Sequence, residues 1–498
     1  MAQGLNGRAG VECERDLCVR MRDGVMLRTD VYRPARHAAY PVLLLRSIAG
    51  GNDPLVPLAQ GLACRGYAVV VQSVRGCNGS GGVFEPFVYE SCDGSDTVDW
   101  LVKATWSDGR VGLLGIAYST FCNYAIAGNA ALGPHIKCAV CCSEIVDPFH
   151  VMYRGGVPVL QWAHHLSSRA PQDGHYLREC LEHRTYDAYW KNRSLGLALR
   201  SISMPTLHVT GWRDCHVEQT LTAYQELNRR GVEQRLIVGP WTHEELSEPV
   251  EPSGATSLPG SIDPLAATIA AWIDRHMRCG GVPIGPPVRF FVMGKNEWTN
   301  QPSWIPPAVT WKKYHLAGSG RLSAEPPELP LAEPLTCQTG EPLRETGTPR
   351  FDMVSYATEA LTTPLLTAGS ISAVLVVSTS ECDADIAVTL VDEAPDGQRT
   401  SIVDGIVRLS YRESALRRLP TVPRIRYKVN VPLGTVAHEF GANHRIRLNL
   451  TAISAPTQLS TSAGSAEHTL HMGGVYPSYV RLPVWTESGG ERTSTTGY

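Results

Sequence analysis

The stretch GRVGLLGIAYSTF (109–121) decides the fold, because it joins the end of an apolar strand to the start of a helix. VGLLGIA (111–117) is short and almost wholly apolar, which is typical of a strand buried on both faces of a sheet. A helix is predicted to start after Tyr118, and the small residues around the turn allow the strand and the helix to approach closely. This strand–turn–helix is the pattern of a nucleophile elbow, in which a side chain sits on a strained turn at the top of the sheet. The residue at the tip is Ala117, which has no nucleophilic atom, and Ser119 stands where the motif has its final glycine.

Alternating strand and helix patterns surround this elbow. The elements predicted before it are a hairpin over 19–34 that turns at Asp23-Gly24, a strand at 41–47, a helix over 53–66, a strand at 67–74 and an amphipathic helix over 90–104. The elements predicted after it are strands at 204–212 and 234–241 and a helix over 265–280 that stops at Gly280. The β-α-β-α-β order predicts a doubly wound α/β sheet.

The segment 145–200 interrupts the sheet pattern. It is rich in His, Trp, Tyr and Arg, and its periodicity is helical but irregular. Because it lies between two strand-rich stretches, we interpret it as a helical cap inserted into the α/β domain. The α/β domain is therefore expected in two parts, 1–144 and 201–312.

The last part of the chain has a different character. Residues 324–349 are rich in Pro, Glu and Thr and have no periodicity, which predicts a loop or linker. Runs typical of β-strands follow, with turn signals between them, at 370–380, 385–397, 426–433 and 444–454. We expect a C-terminal β-sandwich of the jelly-roll type over 313–498, with a disordered tail at 486–498.

An acidic and a basic side chain follow later strands of the predicted sheet. Asp214 comes directly after Gly211-Trp212-Arg213, and His243 comes directly after Gly239-Pro240-Trp241-Thr242. Active groups gather beyond the carboxyl ends of the strands in an open α/β sheet. The order elbow, Asp, His along the chain is also that of the triad in α/β-hydrolases. We therefore expect Asp214 and His243 to lie beside Ala117 in one cleft.

The composition excludes several classes of function. The 498 residues carry a net charge of −3, and no basic arm indicates a nucleic-acid partner. No apolar run approaches the ~20 residues of a membrane helix, and the N-terminal sequence has no apolar signal region. We expect a cytoplasmic protein with no membrane partner, whose 14 cysteines are mostly reduced. No cofactor is expected, and no Cys or His spacing predicts a metal site.

Motifs along nearly the whole chain resemble those of the cocaine esterase (CocE/NonD) and X-Pro dipeptidyl-peptidase family of serine hydrolases. The matching pieces are MRDGVMLRTDVYRP (21–34), GYAVVVQSVRG (66–76), TWSDGRVGLLGIAY (105–118), YDAYWKNRS (186–194), GWRD (211–214), GPWTH (239–243), VMGKNEW (292–298), LVDEAPDGQRTSIVDGIVRLSYRES (390–414) and NHRIRLNL (443–450). The resemblance implies an α/β-hydrolase domain, a helical cap and a C-terminal jelly roll, with Asp214 and His243 as triad members and the nucleophile at position 117. It also implies a hydrolase or acyltransferase that acts on the ester or amide bond of a small acylated molecule. A homodimer is left open.

The chain departs from this family at the nucleophile, where three interpretations stay open. In the first interpretation, a serine at position 117 has been replaced by alanine to stop turnover. Loss of a triad serine typically lowers the turnover rate about a million-fold. Alternatively, the protein is naturally non-hydrolytic and uses the pocket for another reaction or for ligand binding. In the third interpretation, Ser119 or a cysteine such as Cys215 acts as the nucleophile.

The expected oxyanion hole also departs from the family. The family places a tyrosine after the strand equivalent to PVLLLR (41–46), and Ala49 stands at that position. The backbone N–H of Tyr118 is expected to supply one oxyanion donor, and a backbone N–H around Ala49 a second. Trp162 and His164 of the cap are expected to contact the substrate, although ordinary packing is an equal alternative for aromatic residues there. Trp212 is a further candidate for substrate contact, and the alternative for it is packing that braces the loop of Asp214.

Overall fold

The computed structural model describes residues 10–53, 55–169, 175–247, 265–278, 285–335, 337–338, 353–453 and 467–486. The strands are, in chain order, β1 (Val11–Arg20), β2 (Met26–Pro34), β3 (Tyr40–Ser47), β4 (Ala68–Ser73), β5 (Ser107–Ala117), β6 (Ile136–Glu144), β7 (Tyr153–Arg154), β8 (Val157–Pro158), β9 (Thr206–Arg213), β10 (Gln234–Thr242), β11 (Val288–Val292), β12 (Glu297–Gln301), β13 (Val309–Ala317), β14 (Arg321–Ser323), β15 (Leu331–Leu335), β16 (Cys337–Gln338), β17 (Val354–Ala357), β18 (Leu365–Thr379), β19 (Asp385–Glu393), β20 (Arg399–Arg408), β21 (Tyr427–Phe440), β22 (Arg445–Ile453), β23 (His468–Met472) and β24 (Tyr479–Trp485).

The α-helices are, in chain order, α1 (Val56–Cys64), α2 (Glu90–Lys103), α3 (Tyr118–Ala127), α4 (Pro148–Met152), α5 (Leu160–Arg169), α6 (His175–Glu182), α7 (Ala188–Lys191), α8 (Val217–Asn228), α9 (His243–Ser247) and α10 (Leu265–Met277). Within the described ranges, none of these helices is long and apolar enough to span a membrane.

The chain divides into two compact units. The first unit comprises the residues up to Met152 together with Val159–Phe291 and Asn296–Pro302. The second comprises Tyr153–Pro158, Val292–Lys295 and the residues from Ser303 onward. The division at 302–303 falls ten residues before the boundary that the sequence predicts at 312–313.

The first unit is built on one mixed sheet with the strand order β1-β2-β4-β3-β5-β6-β9-β10-β11-β12. β1, β2 and β4 pair antiparallel, which confirms the predicted hairpin. The strands from β4 to β11 pair parallel. The chain leaves β3 toward β4 on one side and reaches β5 on the other, which is the doubly wound arrangement that the sequence predicted.

The sheet of the first unit is buried on both faces, and this explains the nearly continuous apolar runs. Along β3, Leu43 and Leu45 belong to one core cluster with side chains of α1 and α10. Val42 and Leu44 belong to a second cluster with side chains of α2, α3 and α8. Successive side chains of a strand point to opposite faces, so a strand covered by helices on both sides has no polar face.

The insertion between β6 and β9 is mainly helical, as expected for 145–200. It contains α4, α5, α6 and α7. The short antiparallel pair β7–β8 interrupts it and is counted with the second unit.

The second unit is rich in β-structure, which confirms the predicted change of fold class. The runs predicted as strands form β18, β19, β21 and β22. β18 pairs antiparallel with β21, and β19 pairs antiparallel with both β20 and β22. The predicted stop at Gly280 and nearly all of the predicted disordered tail lie outside the described residues. The linker predicted over 324–349 is wrong in part, because Leu331–Leu335 forms β15 and its backbone pairs antiparallel with β23. Residues 336 and 339–349 of that stretch lie outside the described residues.

Candidate active site

Ala117 ends β5 and precedes α3 in a strained backbone conformation. Its φ is 49° and its ψ is −116°, values that residues with a Cβ seldom adopt. Gly115 permits the tight turn, because a Cβ at that position would lie 2.7 Å from the backbone carbon of Ser119. The strand–turn–helix predicted from the sequence is therefore present, with a methyl group at its tip.

A buried charge network holds the start of α3. The hydroxyl of Tyr118 donates to Glu90 Oε1 at 2.8 Å and accepts from the backbone N–H of Phe87 at 3.0 Å. The other oxygen of Glu90 lies 2.9 Å from Nη1 of Arg46, and both of these side chains are buried. Because Tyr118 is the first residue of α3, its own backbone N–H has no acceptor within the helix.

A carboxylate and an imidazole meet where β9 and β10 end. Nδ1 of His243 lies 3.1 Å from Oδ1 of Asp214, and Oδ2 of Asp214 accepts from Thr210 Oγ1 at 2.7 Å. The side chain of Asp214 is fully buried, whereas that of His243 keeps 19% exposure. A carboxylate on Nδ1 fixes the orientation of an imidazole and leaves Nε2 as the nitrogen for proton transfer.

Ser143 and His216 join this pair, and sequence reasoning missed both. The Ser143 hydroxyl lies 3.0 Å from Asp214 Oδ1, 2.9 Å from His243 Nδ1 and 3.0 Å from His216 Nδ1. A hydroxyl carries one proton and two lone pairs, so it can donate to the carboxylate and accept from both imidazoles. Ser143 has a φ of 52°. The only sequence signal for it is its place near the carboxyl end of a strand next to the elbow strand.

The strand order explains why the elbow and the Asp214–His243 pair lie at the same edge. β5, β6, β9 and β10 are consecutive parallel neighbours, so their carboxyl ends line up. Ala117 is in register with Glu144, the residue after Ser143. The Ser143 hydroxyl, which contacts Asp214 and His243, therefore belongs to the strand that borders the elbow.

The groups of this cluster shift one another's pKa values. Burial acts to raise the pKa of Asp214, but the hydrogen bond with His243 and the charge of His216 outweigh it, and the pKa falls below its ordinary value. Burial acts to lower the pKa of His243, but its contacts with Asp214 and Cys215 raise it to about 10. Desolvation acts to raise the pKa of the Cys215 thiol, but His216 and His243 lower it to about 7. The charged forms of these groups therefore stabilise one another.

The side chains of this cluster are also of the kinds that bind metal ions. One donor atom from each of Asp214, Cys215, His216 and His243 lies within 4.8 Å of the others, and these residue types ligate zinc in other proteins. The Ser143 hydroxyl, however, hydrogen-bonds three of these residues and occupies the space among their donor atoms. We interpret the cluster as a hydrogen-bonded relay, and the absence of a metal stays a prediction.

The backbone N–H of Ala49, expected as an oxyanion donor, has a partner within the protein. It donates to Ser47 Oγ at 3.0 Å, and the Ser47 hydroxyl donates to Asp53 Oδ2 at 2.5 Å. Asp53 is buried, and this burial raises its pKa. The N–H of Ala49 would have to leave Ser47 before it could stabilise an oxyanion.

Of the two predicted pocket residues in the cap, one faces the site. The ring of Trp162 lies 4.7 Å from that of His216 and 5.4 Å from that of His243, measured between centroids. His164 is exposed, and no hydrogen bond, ion pair or ring contact links it to the site within the described part of the chain. His164 lies two residues after Trp162 in α5, and residues two apart on a helix point to different faces. His165, three residues after Trp162, packs with its ring 5.7 Å from that of Trp162, measured between centroids.

Trp212 is placed differently from the expected substrate contact. Its side chain is only 3% exposed. Its indole N–H donates to the backbone oxygen of Phe291 at 2.6 Å, and its ring packs 6.0 Å from that of Phe290. Trp212 therefore braces the turn that carries Asp214 from within the core.

Known families match both parts of the chain. Residues 23–245 match the X-Pro dipeptidyl-peptidase (S15 family) and residues 281–481 match the X-Pro dipeptidyl-peptidase C-terminal non-catalytic domain. The chain belongs to the X-Pro dipeptidyl-peptidase family S15. This confirms the resemblance that the sequence motifs indicated. The relatives in this family are esterases and peptidases, which supports an enzyme that hydrolyses ester or amide bonds.

Individual relatives of this S15 chain align over nearly its whole length. Cocaine esterase from Rhodococcus sp. is 27% identical, with 94% of this chain and 98% of that protein aligned. An aminopeptidase from a marine sediment archaeon, Thaumarchaeota archaeon, has a TM-score of 0.84 at 20% identity over 98% of this chain and 99% of the other. A CocE/NonD family hydrolase from Staphylococcus aureus has a TM-score of 0.78 at 17% identity over 96% and 97%. The two solved structures share the fold of this S15 chain.

Proposed function

We propose that this S15 chain acts on the acyl group of a small acylated molecule, as a hydrolase or an acyltransferase. The observation that carries the proposal is the strained elbow at Ala117, at the carboxyl edge of the sheet that also carries the hydrogen-bonded Asp214–His243 pair. Such a turn costs free energy, and backbone strain of this kind clusters at sites that bind ligands or carry out chemistry. The chain thus keeps the geometry for acyl chemistry and lacks the hydroxyl at position 117.

With serine at position 117, the roles follow from the contacts. The hydroxyl attacks the acyl carbonyl while Nε2 of His243 takes its proton, and Asp214 holds the imidazole and stabilises its cation. The backbone N–H of Tyr118 donates to the oxyanion. Water or another nucleophile then releases the acyl group.

The substitution Ala117→Ser tests the proposal. We expect turnover of p-nitrophenyl acetate and butyrate to rise about a thousandfold above that of the unchanged chain. A triad serine typically raises the turnover rate about a million-fold. A missing oxyanion donor lowers that rate by about a hundred- to a thousandfold, so the net gain is smaller. The matched control is Ala127→Ser at the other end of α3, which should leave turnover unchanged.

The second candidate function is a non-hydrolytic one, in which the same pocket binds a ligand or supports another reaction. The engaged N–H of Ala49 favours it, because an efficient hydrolase needs its second oxyanion donor unoccupied. A folded Ala117→Ser variant that is inert toward p-nitrophenyl esters and anilides alike, together with an unchanged chain that these substrates do not acylate, would support this second function and reject the first.

A further inference from the structure

The first unit has other nucleophilic side chains near the elbow, and they differ in access. Ser119 is only 2% exposed within α3, and its hydroxyl hydrogen-bonds the buried Asp53. A substrate could not reach it without unwinding the start of α3. Cys215, by contrast, is exposed, and it follows Asp214 directly at the end of β9.

Cys215 lies within the relay, close to both imidazoles. Its sulfur lies 3.8 Å from Asp214 Oδ1 and within 4.8 Å of a ring nitrogen of His216 and of His243. It also lies just before α8, a helix of 12 residues whose N-terminal end favours negative charge. These are the surroundings that activate a cysteine: partial exposure, positive neighbours and a helix N-terminus.

The pKa values favour cysteine over serine chemistry at this site. A histidine whose pKa lies near 10 is protonated at neutral pH, so it is a weak base toward a serine hydroxyl but a ready acid toward a leaving group. A thiol with a pKa of about 7 is about half ionised at the same pH, so the thiolate is already present and needs no base.

We propose that Cys215 supplies the nucleophile that position 117 lacks: its sulfur accepts the acyl group of an ester or amide, and His243 protonates the leaving group. This inference rests on the proposed acyl chemistry of the site and deepens it. Asp214 orients His243 for this step, and Trp162 covers the two imidazoles from the cap side.

The reaction balances with water as the only co-reactant. The thiolate attacks the carbonyl carbon, a C–S bond forms, and the carbonyl oxygen becomes an oxyanion. The bond to the alcohol or amine then breaks, and the leaving group takes a proton from protonated His243. Neutral His243 next takes a proton from water, whose oxygen attacks the thioester. The C–S bond breaks, the acid leaves, and the thiolate and the protonated imidazole are restored.

The test is acylation of the full chain by p-nitrophenyl acetate at pH 7, quenched in acid and analysed by mass spectrometry of peptides. We expect a burst of about one equivalent of p-nitrophenol and one acetyl group, removable by hydroxylamine, on the peptide that contains Cys215. Cys215→Ala and Cys215→Ser should lose both the burst and the acetyl group. Cys382→Ser, which removes an exposed cysteine of the second unit, should keep both.

The outcomes separate this inference from the proposed function. An acetyl group on another residue, or none on Cys215 in the folded unchanged chain, overturns the inference, and the proposed function still stands if Ala117→Ser hydrolyses the ester. Activity that EDTA abolishes and Zn²⁺ restores would likewise overturn it, because a metal rather than the sulfur would carry the chemistry. If Ala117→Ser is inert and Cys215 stays unmodified, both fail together.

Discussion

The two sides of the site differ in what they retain. The elbow side consists of Ala49, Ala117 and Tyr118. The relay side consists of Ser143, Asp214, Cys215, His216 and His243. The elbow side has the strained turn but no nucleophilic atom, and one of its expected donors is used internally. The relay side has several titratable groups in mutual contact, with pKa values shifted toward their charged forms.

The shape and the chemistry of the site are therefore carried by different residues. The elbow depends on backbone packing, such as the contact of Gly115 with α3 and the buried bonds of Tyr118. These contacts do not involve the side chain at its tip. The relay depends on side-chain charges, so a change in one group alters the others.

The largest effect should come from removing the charge of Asp214 once the elbow has its serine. In an Ala117→Ser background, Asp214→Asn should lower kcat on p-nitrophenyl acetate by up to about a thousandfold, back to the level of the unchanged chain, because the amide no longer holds His243 in the productive tautomer. Steady-state kinetics measure the loss. Asp392→Asn is the matched control, since Asp392 hydrogen-bonds His438 and His444 in the second unit. A loss below tenfold would mean that the relay side does not serve the elbow.

A smaller effect, with opposite signs in two backgrounds, should follow the loss of Cys215. In the Ala117→Ser background, Cys215→Ala should raise turnover at pH 7 by about tenfold, because losing the thiolate lowers the His243 pKa and enlarges the neutral, basic fraction. In the unchanged chain, the same substitution should remove acylation. Pre-steady-state and steady-state release of p-nitrophenol measure both. If Cys215→Ala changed p-nitrophenol release in the same direction in both backgrounds, the elbow side and the relay side would not act separately.

Much of the fold could be predicted because its signals are local. The apolar runs at 41–47 and 111–117 reflect burial on both faces, and the order of strands and helices fixed the parallel sheet. Asp214 and His243 could be proposed because each directly follows a strand, and parallel strands share one carboxyl edge.

The remaining features of the site depend on contacts between distant segments. Ser143 and His216 act through hydrogen bonds to residues up to 100 positions away, and no local pattern marks them. The engagement of the Ala49 N–H depends on the orientation of the Ser47 side chain. Trp212 was predicted from its nearness in sequence to Asp214, and His164 from its place in the cap, but burial and helix facing decide where such side chains point.

At pH 7, Cys215 should react with iodoacetamide about three times faster than an ordinary cysteine. Thiolates react with iodoacetamide and thiols do not, so the rate should rise as the pH passes about 7 and level off above it. At pH 7, a pKa of about 7 gives Cys215 about 16 times more thiolate than an ordinary thiol has. A thiolate of lower pKa is less nucleophilic, so the expected gain in reaction rate is only about threefold. The groups around the sulfur are Asp214, His216 and His243. Peptide mass spectrometry against Cys382 measures the rate, and His243→Ala should move the midpoint to higher pH.

The smallest effect on the turnover rate should come from removing the buried Tyr118 hydroxyl on the elbow side. Tyr118→Phe removes the hydroxyl that joins Glu90 to the backbone N–H of Phe87 and leaves both groups unsatisfied in the interior. It should cost about 1–3 kcal/mol of unfolding free energy in urea, followed by tryptophan fluorescence. Turnover of the Ala117→Ser protein should change less than twofold, because the backbone N–H of residue 118 is retained. A large fall in kcat with no loss of stability would show that this hydroxyl acts on the substrate, and the elbow side would then carry chemistry as well as shape.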